Sequence, residues 1–174
     1  MAGSGLDHCW LAWPGRLDGS VNIALNKPIY ASSVFSAPYA PSMWFTSPLC
    51  AIAVDGDKTT IKNQQDGTYA TFQSAEGDTT PWIAVDLGAP FLVSRVIIYN
   101  RLDCCGSQLW NAEVRIGNMN GGTFGIPLSS NALVWTLSGG SSTGAVHQIT
   151  ISPRVTGRWV TLQNFHPRGW CMQL

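Results

Sequence analysis

Residues 81–100 read Pro81-Trp-Ile-Ala-Val-Asp-Leu-Gly-Ala-Pro-Phe-Leu-Val-Ser-Arg-Val-Ile-Ile-Tyr-Asn100, and two strand signals meet there. Ile83, Val85 and Leu87 alternate with small or polar neighbours, which dries one face of an extended chain and wets the other. The alternation stops at Gly88-Ala-Pro90, a breaker of regular structure. From Leu92 to Asn100 the residues are almost continuously apolar and β-branched, the pattern of a strand covered on both faces. Working outward, Ala112, Val114 and Ile116 alternate with Glu113 and Arg115. Leu133, Trp135 and Leu137 alternate next and end at Ser138-Gly-Gly-Ser-Ser142, followed by Ile149 with Ile151 and by Val160 with Leu162 inside Arg158–Phe165. No window of helical length places apolar residues at i, i+3, i+4 and i+7. Short strands at this spacing predict an antiparallel β-sandwich or barrel.

Composition narrows the functions open to such a sandwich. The chain has 174 residues, ten Lys+Arg against ten Asp+Glu, and only 11% charged residues. A typical domain carries roughly 25%, so Ser, Thr, Asn, Gln and Gly must solvate this surface. With no excess of cations, the chain cannot bind nucleic acid by displacing counterions from phosphates, and it has no polybasic membrane anchor. Apolar residues at 45% and eight Trp are enough for a core. No apolar run is long enough to span a bilayer, and Met1–Asp7 has neither a basic region nor an apolar stretch of the kind a signal peptide needs.

Five cysteines (Cys9, Cys50, Cys104, Cys105 and Cys171) nevertheless suit an oxidising compartment. An excerpt from a longer secreted or surface protein reconciles the two. Residues 1–21 show no strand pattern and read as an N-terminal extension to a domain over 22–174. Residues 35–50 carry three prolines and the aromatics Phe35, Tyr39, Trp44 and Phe45, and read as one long loop.

Enzyme signatures find little support. Gly139-Gly-Ser-Ser-Thr-Gly144 has the glycines of a phosphate loop, but Ala145 stands where the lysine must be, so a hairpin loop is expected. His8, His147 and His166 have no metal-ligand spacing, and two glutamates are too few to favour a paired-carboxylate hydrolase. The segment Asn100-Arg-Leu-Asp-Cys-Cys-Gly106 says more. Arg101 and Asp103 lie two apart at a strand end, so they share a face and the Asp can aim the guanidinium fork at a ligand hydroxyl or carboxylate. A plain surface salt bridge is the rival reading. The adjacent cysteines either bond to each other or pair elsewhere.

Ordered signposts run through most of the chain: Asn22-Ile-Ala-Leu-Asn-Lys-Pro28 with Ala31-Ser-Ser33, Ala53-Val-Asp-Gly56, Pro81–Gly88, Val96–Arg101 and Gly157-Arg-Trp-Val160. Together they resemble the discoidin or coagulation-factor C-type domain. Asn100–Gly106 followed by Ala112-Glu-Val-Arg-Ile-Gly117 narrows the resemblance to F-type lectins, the fucolectins. It implies an eight-stranded antiparallel jellyroll with binding loops at one end, and a last strand that this sequence, ending at Leu174, leaves incomplete. It implies that Arg101 and Asp103 bind a terminal fucose, with a Cys104–Cys105 disulfide against the sugar ring and Cys50 tethering the loop region to the chain ends. A second basic ligand falls on Gln108, and a loop His falls on Glu76, or on Gln73 if a gap is allowed. Both positions have lost the family's side chain. A structural calcium is implied near Asp55, Asp57 and Asp66, which supply hard oxygens.

The expected function is thus a non-catalytic, extracellular carbohydrate-binding module with weakened or altered fucose-type recognition. The alternative is a protein-interaction module of a larger surface assembly that keeps the fold without the sugar. The partners expected are glycans or glycoproteins and other chains of such an assembly, not nucleic acid. Membrane insertion through Trp44 and Phe45 ranks below these.

Overall fold

A computed structural model describes residues 7–10, 21–35, 48–58, 71–120 and 126–166. Seven strands lie among the described residues: β1 (Asp7–Trp10), β2 (Val21–Asn22), β3 (Ile29–Ala31), β4 (Trp82–Tyr99), β5 (Glu113–Gly117), β6 (Ala132–Thr136) and β7 (Val146–Gln163). A short helix α1 (Pro48–Ala51) runs into a 3₁₀ turn at Ile52–Val54. The hydrogen-bonded order is β2-β1-β4-β7-β5-β6, and β3 pairs with β4. All pairings are antiparallel except those of β1, which runs parallel to β2 and β4.

The two signals read within residues 81–100 belong to one bent strand. At the breaker, the Gly88 amide donates to Asp86 Oδ1 at 2.9 Å and Gly88 takes φ +86°, a conformation costly to any residue with a Cβ. The β4–β7 register shifts between Asp86 and Phe91, so both 18-residue strands bend together. Their halves then face each other as two layers. Ile83 and Val85 from one half, Val96 and Ile98 from the other, and Val114, Val160 and Leu162 all line the same interior space. The core continues through the fully buried Phe72, Leu87, Leu109 and Ile116, each worth roughly 1.5–3 kcal/mol when covered. Because β4 doubles back, its first and last residues lie at one end of the sandwich, where the connecting loops gather.

Three expectations change. Asp7–Trp10, placed in an extension without strand pattern, pairs Cys9 with Val96 and Trp10 with Ile97. The loop over Gly139–Gly144 is not a hairpin, because β6 and β7 are separated by β5 in the sheet. Leu133 is 47% exposed rather than on a dry face, since Val114 opposes Trp135 while Arg115 opposes Leu133. The extra residue, Val134, turns Leu133 outward beside Arg115.

Candidate functional site

β4 delivers the chain at Tyr99 into the connection Asn100–Ala112, which leads to β5. Asn100 is 1% exposed. Its Nδ2 donates to the Gly106 and Ser142 carbonyls at 2.9 Å each, and its Oδ1 accepts the Arg101 amide at 3.0 Å. The loop is thereby folded on itself. Arg101 follows, with Nε donating to Asp103 Oδ1 at 2.6 Å and Nη2 to Oδ2 at 2.7 Å. This fork-on-fork pair is the strong, oriented kind. The Arg101 guanidinium holds the Asp103 carboxyl below its usual range, more strongly than partial burial raises it. The Arg101 side chain is 6% exposed and that of Asp103 32%.

Cys104 and Cys105 are joined by a disulfide, and Cys105 takes φ 62°. A 3₁₀ turn over Gly106–Gln108 comes next, the Gln108 amide donating to the Cys105 carbonyl at 2.9 Å. Gly106 is buried, and a Cβ there would run into the Thr143 amide. Gln108 is half-buried, and its Oε1 is covered and has no hydrogen-bond partner among the described residues. The end of β7 anchors this turn: Asn164 donates Nδ2 to the Gln108 carbonyl at 2.9 Å and accepts the Trp110 amide at 2.7 Å.

The loop Ser138–Ala145 packs along the same connection. The Gly144 amide donates to the Arg101 carbonyl at 2.7 Å, the Asn100 amide to the Ala145 carbonyl at 2.9 Å, and the Ser141 amide to the Leu109 carbonyl at 2.8 Å. Ser141 Oγ lies 2.8 Å from His147 Nε2. Burial lowers the His147 pKa.

Gln73 and Glu76 sit on the segment leading into β4, at the same end of the sandwich. Asp78, 1% exposed, ties that segment to the end of β3, accepting Ser32 Oγ at 2.5 Å and Ser33 Oγ at 2.6 Å. The Ala75 amide donates to Ser33 Oγ at 3.1 Å. Gln73 is buried, and its carbonyl accepts the Phe35 amide at 2.8 Å. Glu76 is exposed on a turn and forms no ion pair with Arg101. The structure therefore brings Arg101, Asp103, Cys104, Cys105 and Gln108 into one loop and holds Gln73 and Glu76 on a neighbouring one. Sequence reasoning missed the positioning side chains Asn100 and Asp78, although Asn100 and the Ser32-Ser33 partners of Asp78 stood in the quoted signposts.

Asp55 and Asp57 follow the Ile52–Val54 turn. Asp55 Oδ1 accepts the Asp57 amide at 2.8 Å. Partial burial raises the Asp55 carboxyl above its usual range and the like charge of Asp57 adds to this, against the Asp57 amide, which lowers it. These are hard oxygen donors, but two carboxylates are a minority of the six to eight oxygens calcium takes. Asp66 lies outside the described residues, among which no three His, Cys, Asp or Glu side chains converge as a metal shell. Trp44, Phe45 and Cys171 also lie outside them. No described helix is long and apolar enough to cross a membrane.

Residues 52–162 match the family described as F5/F8 type C, NedA-like, galactose-binding domain. The chain belongs to that family. As an F5/F8 type C domain, it is similar to fucolectin-1 of Anguilla japonica, at 27% identity over 129 residues, covering 72% of this chain and 64% of that protein. The F-lectin of striped bass (Morone saxatilis) serum superposes with a TM-score of 0.66 at 26% identity, over 88% of this chain and 46% of that one. A fucose-binding module of Streptococcus pneumoniae superposes with a TM-score of 0.63 at 22% identity, over 92% of this chain and 94% of that module. The chain thus spans less than two thirds of either fish lectin.

Proposed function

We propose that this domain is a non-catalytic carbohydrate-binding module acting outside the cell, with fucose-type glycans as its ligand class and weakened or altered affinity for them. The observation that carries the reading is the Arg101–Asp103 fork set beside the Cys104–Cys105 disulfide in one loop. Asp103 engages two of the five guanidinium N–H groups and fixes the plane of the fork, so the orientation in which a sugar hydroxyl would meet it is set in advance. The adjacent disulfide offers a compact apolar surface to the C–H face of a ring. Similarity to fucolectins and to a fucose-binding module supports the ligand class, and a disulfide between neighbours suits an oxidising compartment.

Weakened recognition follows from Gln108. A neutral amide there donates a bond about half as strong as a charge-assisted one. Asp55 and Asp57, together with Asp66, would hold a structural calcium, whose role is to stiffen the loop after Val54.

Titration with L-fucose in a calorimeter tests the reading. Weak binding is expected for the wild type and none for Arg101→Ala. A second reading keeps the fold as an interaction module for other chains of a surface assembly. The burial of Arg101 favours it, because little guanidinium surface remains for a small ligand. A glycan array that is blank for the wild type and for Gln108→Arg decides for the second reading.

A further inference from the structure

We infer that Asn100 is the positioning residue for Arg101, acting by pinning the loop Asn100–Gly106 against the loop Ser138–Ala145. The inference rests on the carbohydrate-binding reading only for the ligand used to test it. Both Asn100 amide N–H bonds are spent on carbonyls, one in its own loop at Gly106 and one across the gap at Ser142, and its carbonyl oxygen receives the Arg101 amide. The network permits one orientation of the carboxamide, since a flip would set its oxygen against two carbonyl oxygens. Further bonds close the same seam: Asn100 N to Ala145 O, Gly144 N to Arg101 O, and Gly106 N to Thr143 Oγ1 at 3.2 Å. Arg101 is therefore held at its amide and at its carbonyl by groups that depend on the seam. Asp103 then has only to orient the guanidinium. Without Asn100, three polar groups in a buried seam lose their partner together, and the cheapest relief is for the loop to open.

Asn100→Asp isolates this role because it changes the shape very little. The introduced carboxyl sets oxygen against the Gly106 and Ser142 carbonyls, while its protonated form regains one donor. Burial and those carbonyl dipoles raise its pKa, so the donor is present below that raised value and lost as pH rises through it. The facing loop Ser138–Ala145 carries no titratable side chain. Arg101 and Asp103 are the charges on Asn100's own loop, and His147 at the start of β7, which reaches the seam through Ser141, is present in both proteins. The ratio of variant to wild-type affinity is therefore the readout.

L-fucose binding by Asn100→Asp should be roughly tenfold weaker than wild type at pH 7.5, a change equivalent to ~1.4 kcal/mol, and the ratio should recover toward one as pH falls to about 5. A loss of the same size at every pH would mark general damage to the fold and overturn the inference, as would unchanged affinity at pH 7.5. If Asn100→Asp melts below the working temperature, Thr143→Val decides: deleting the hydroxyl that receives the Gly106 amide, on a residue that is otherwise exposed, should weaken binding severalfold, and unchanged binding overturns the inference. If the wild type binds no fucose, the carbohydrate reading fails but the positioning role remains testable. In that case the Arg101 Nε–H proton, followed by NMR, should exchange slowly in the wild type and faster in Asn100→Asp. Equal exchange rates would refute the inference.

Discussion

Asp103→Asn probes the Arg101 fork with the least change of shape. In the wild type the carboxylate accepts two bonds from the guanidinium, at 2.6 and 2.7 Å. The amide keeps one acceptor and turns a donor toward another donor, so one charge-assisted bond is lost outright and the other becomes neutral. A bond to a charged group contributes roughly 1.5–3 kcal/mol when shielded. Asp103 is about a third exposed, so water takes up part of the loss, and the estimate falls to about 1–2 kcal/mol. For a chain of this size that is a fall in Tm of about 2–8 °C.

The pH dependence of that loss has a definite sign. The Asp103 carboxyl titrates below the ordinary 3.8 because Arg101 stabilises its charged form. Its contribution is therefore complete above the unfolded value and is lost as pH falls through the lower, folded value. Differential scanning calorimetry from pH 3 to 8 should show a constant gap between wild type and Asp103→Asn down to about pH 4 and a shrinking gap below it. L-fucose affinity at pH 7 should fall by roughly tenfold, equivalent to ~1.4 kcal/mol, because the fork is no longer oriented. Equal melting temperatures at pH 7, or a gap that widens on acidification, would refute the argument.

Two further outcomes are expected. Gln108→Arg should raise affinity for fucosylated glycans about tenfold by calorimetry, since a charged donor replaces a neutral one, and unchanged affinity counts against the role given to this position. A chelator should lower the melting temperature of protein shown to start calcium-loaded, because an ion that binds only the native state stabilises it by mass action. Asp57→Ala should abolish that shift, and a chelator without effect removes the proposed site.

Where a structural signal was local, the sequence carried it. Residues 92–100 read as a strand buried on both faces, and this holds at Val96, Ile97 and Ile98, which are 1%, 3% and 1% exposed, but not at Leu92, which is 45% exposed. Arg101 and Asp103 were legible as a pair from their spacing of two, although they meet in the bend after β4 and not on extended chain. The failures are non-local. Leu133 matched a period of two, but the extra residue Val134 in β6 slips the phase, and nothing within β6 announces a bulge that its pairing with β5 creates. β1 is four residues long and depends on hydrogen bonds to Val96 and Ile97, far along the chain. Asn100 was visible as a letter in a motif but not as a hub, because one of its partners is a carbonyl 42 residues away.

The same division of labour explains how a binding site of this kind can change its ligand while keeping its frame. The residues that set loop shape act on backbone groups. Asn100 holds carbonyls at Gly106 and Ser142, Asn164 holds the Gln108 carbonyl, and Asp78 holds the hydroxyls that fix the segment before β4. Altering any of them leaves buried polar groups without partners, at about 1–3 kcal/mol each. Gln108 and Glu76 stand differently. The Gln108 position is fixed by its main chain, whatever side chain it carries, and Glu76 is an exposed turn residue that forms no ion pair with another described residue. On the proposed reading, replacing a basic or imidazole side chain at these two positions costs affinity and little stability. Arg101 lies between the two classes, because its guanidinium is the proposed sugar-binding group while its amide and carbonyl belong to the seam. At Gln108 and Glu76 the departures from the lectin pattern fall where the frame does not depend on the side chain, whereas the alternative position, Gln73, is buried, so the proposed shift of specificity on a kept scaffold goes with the exposed turn and not with the buried residue.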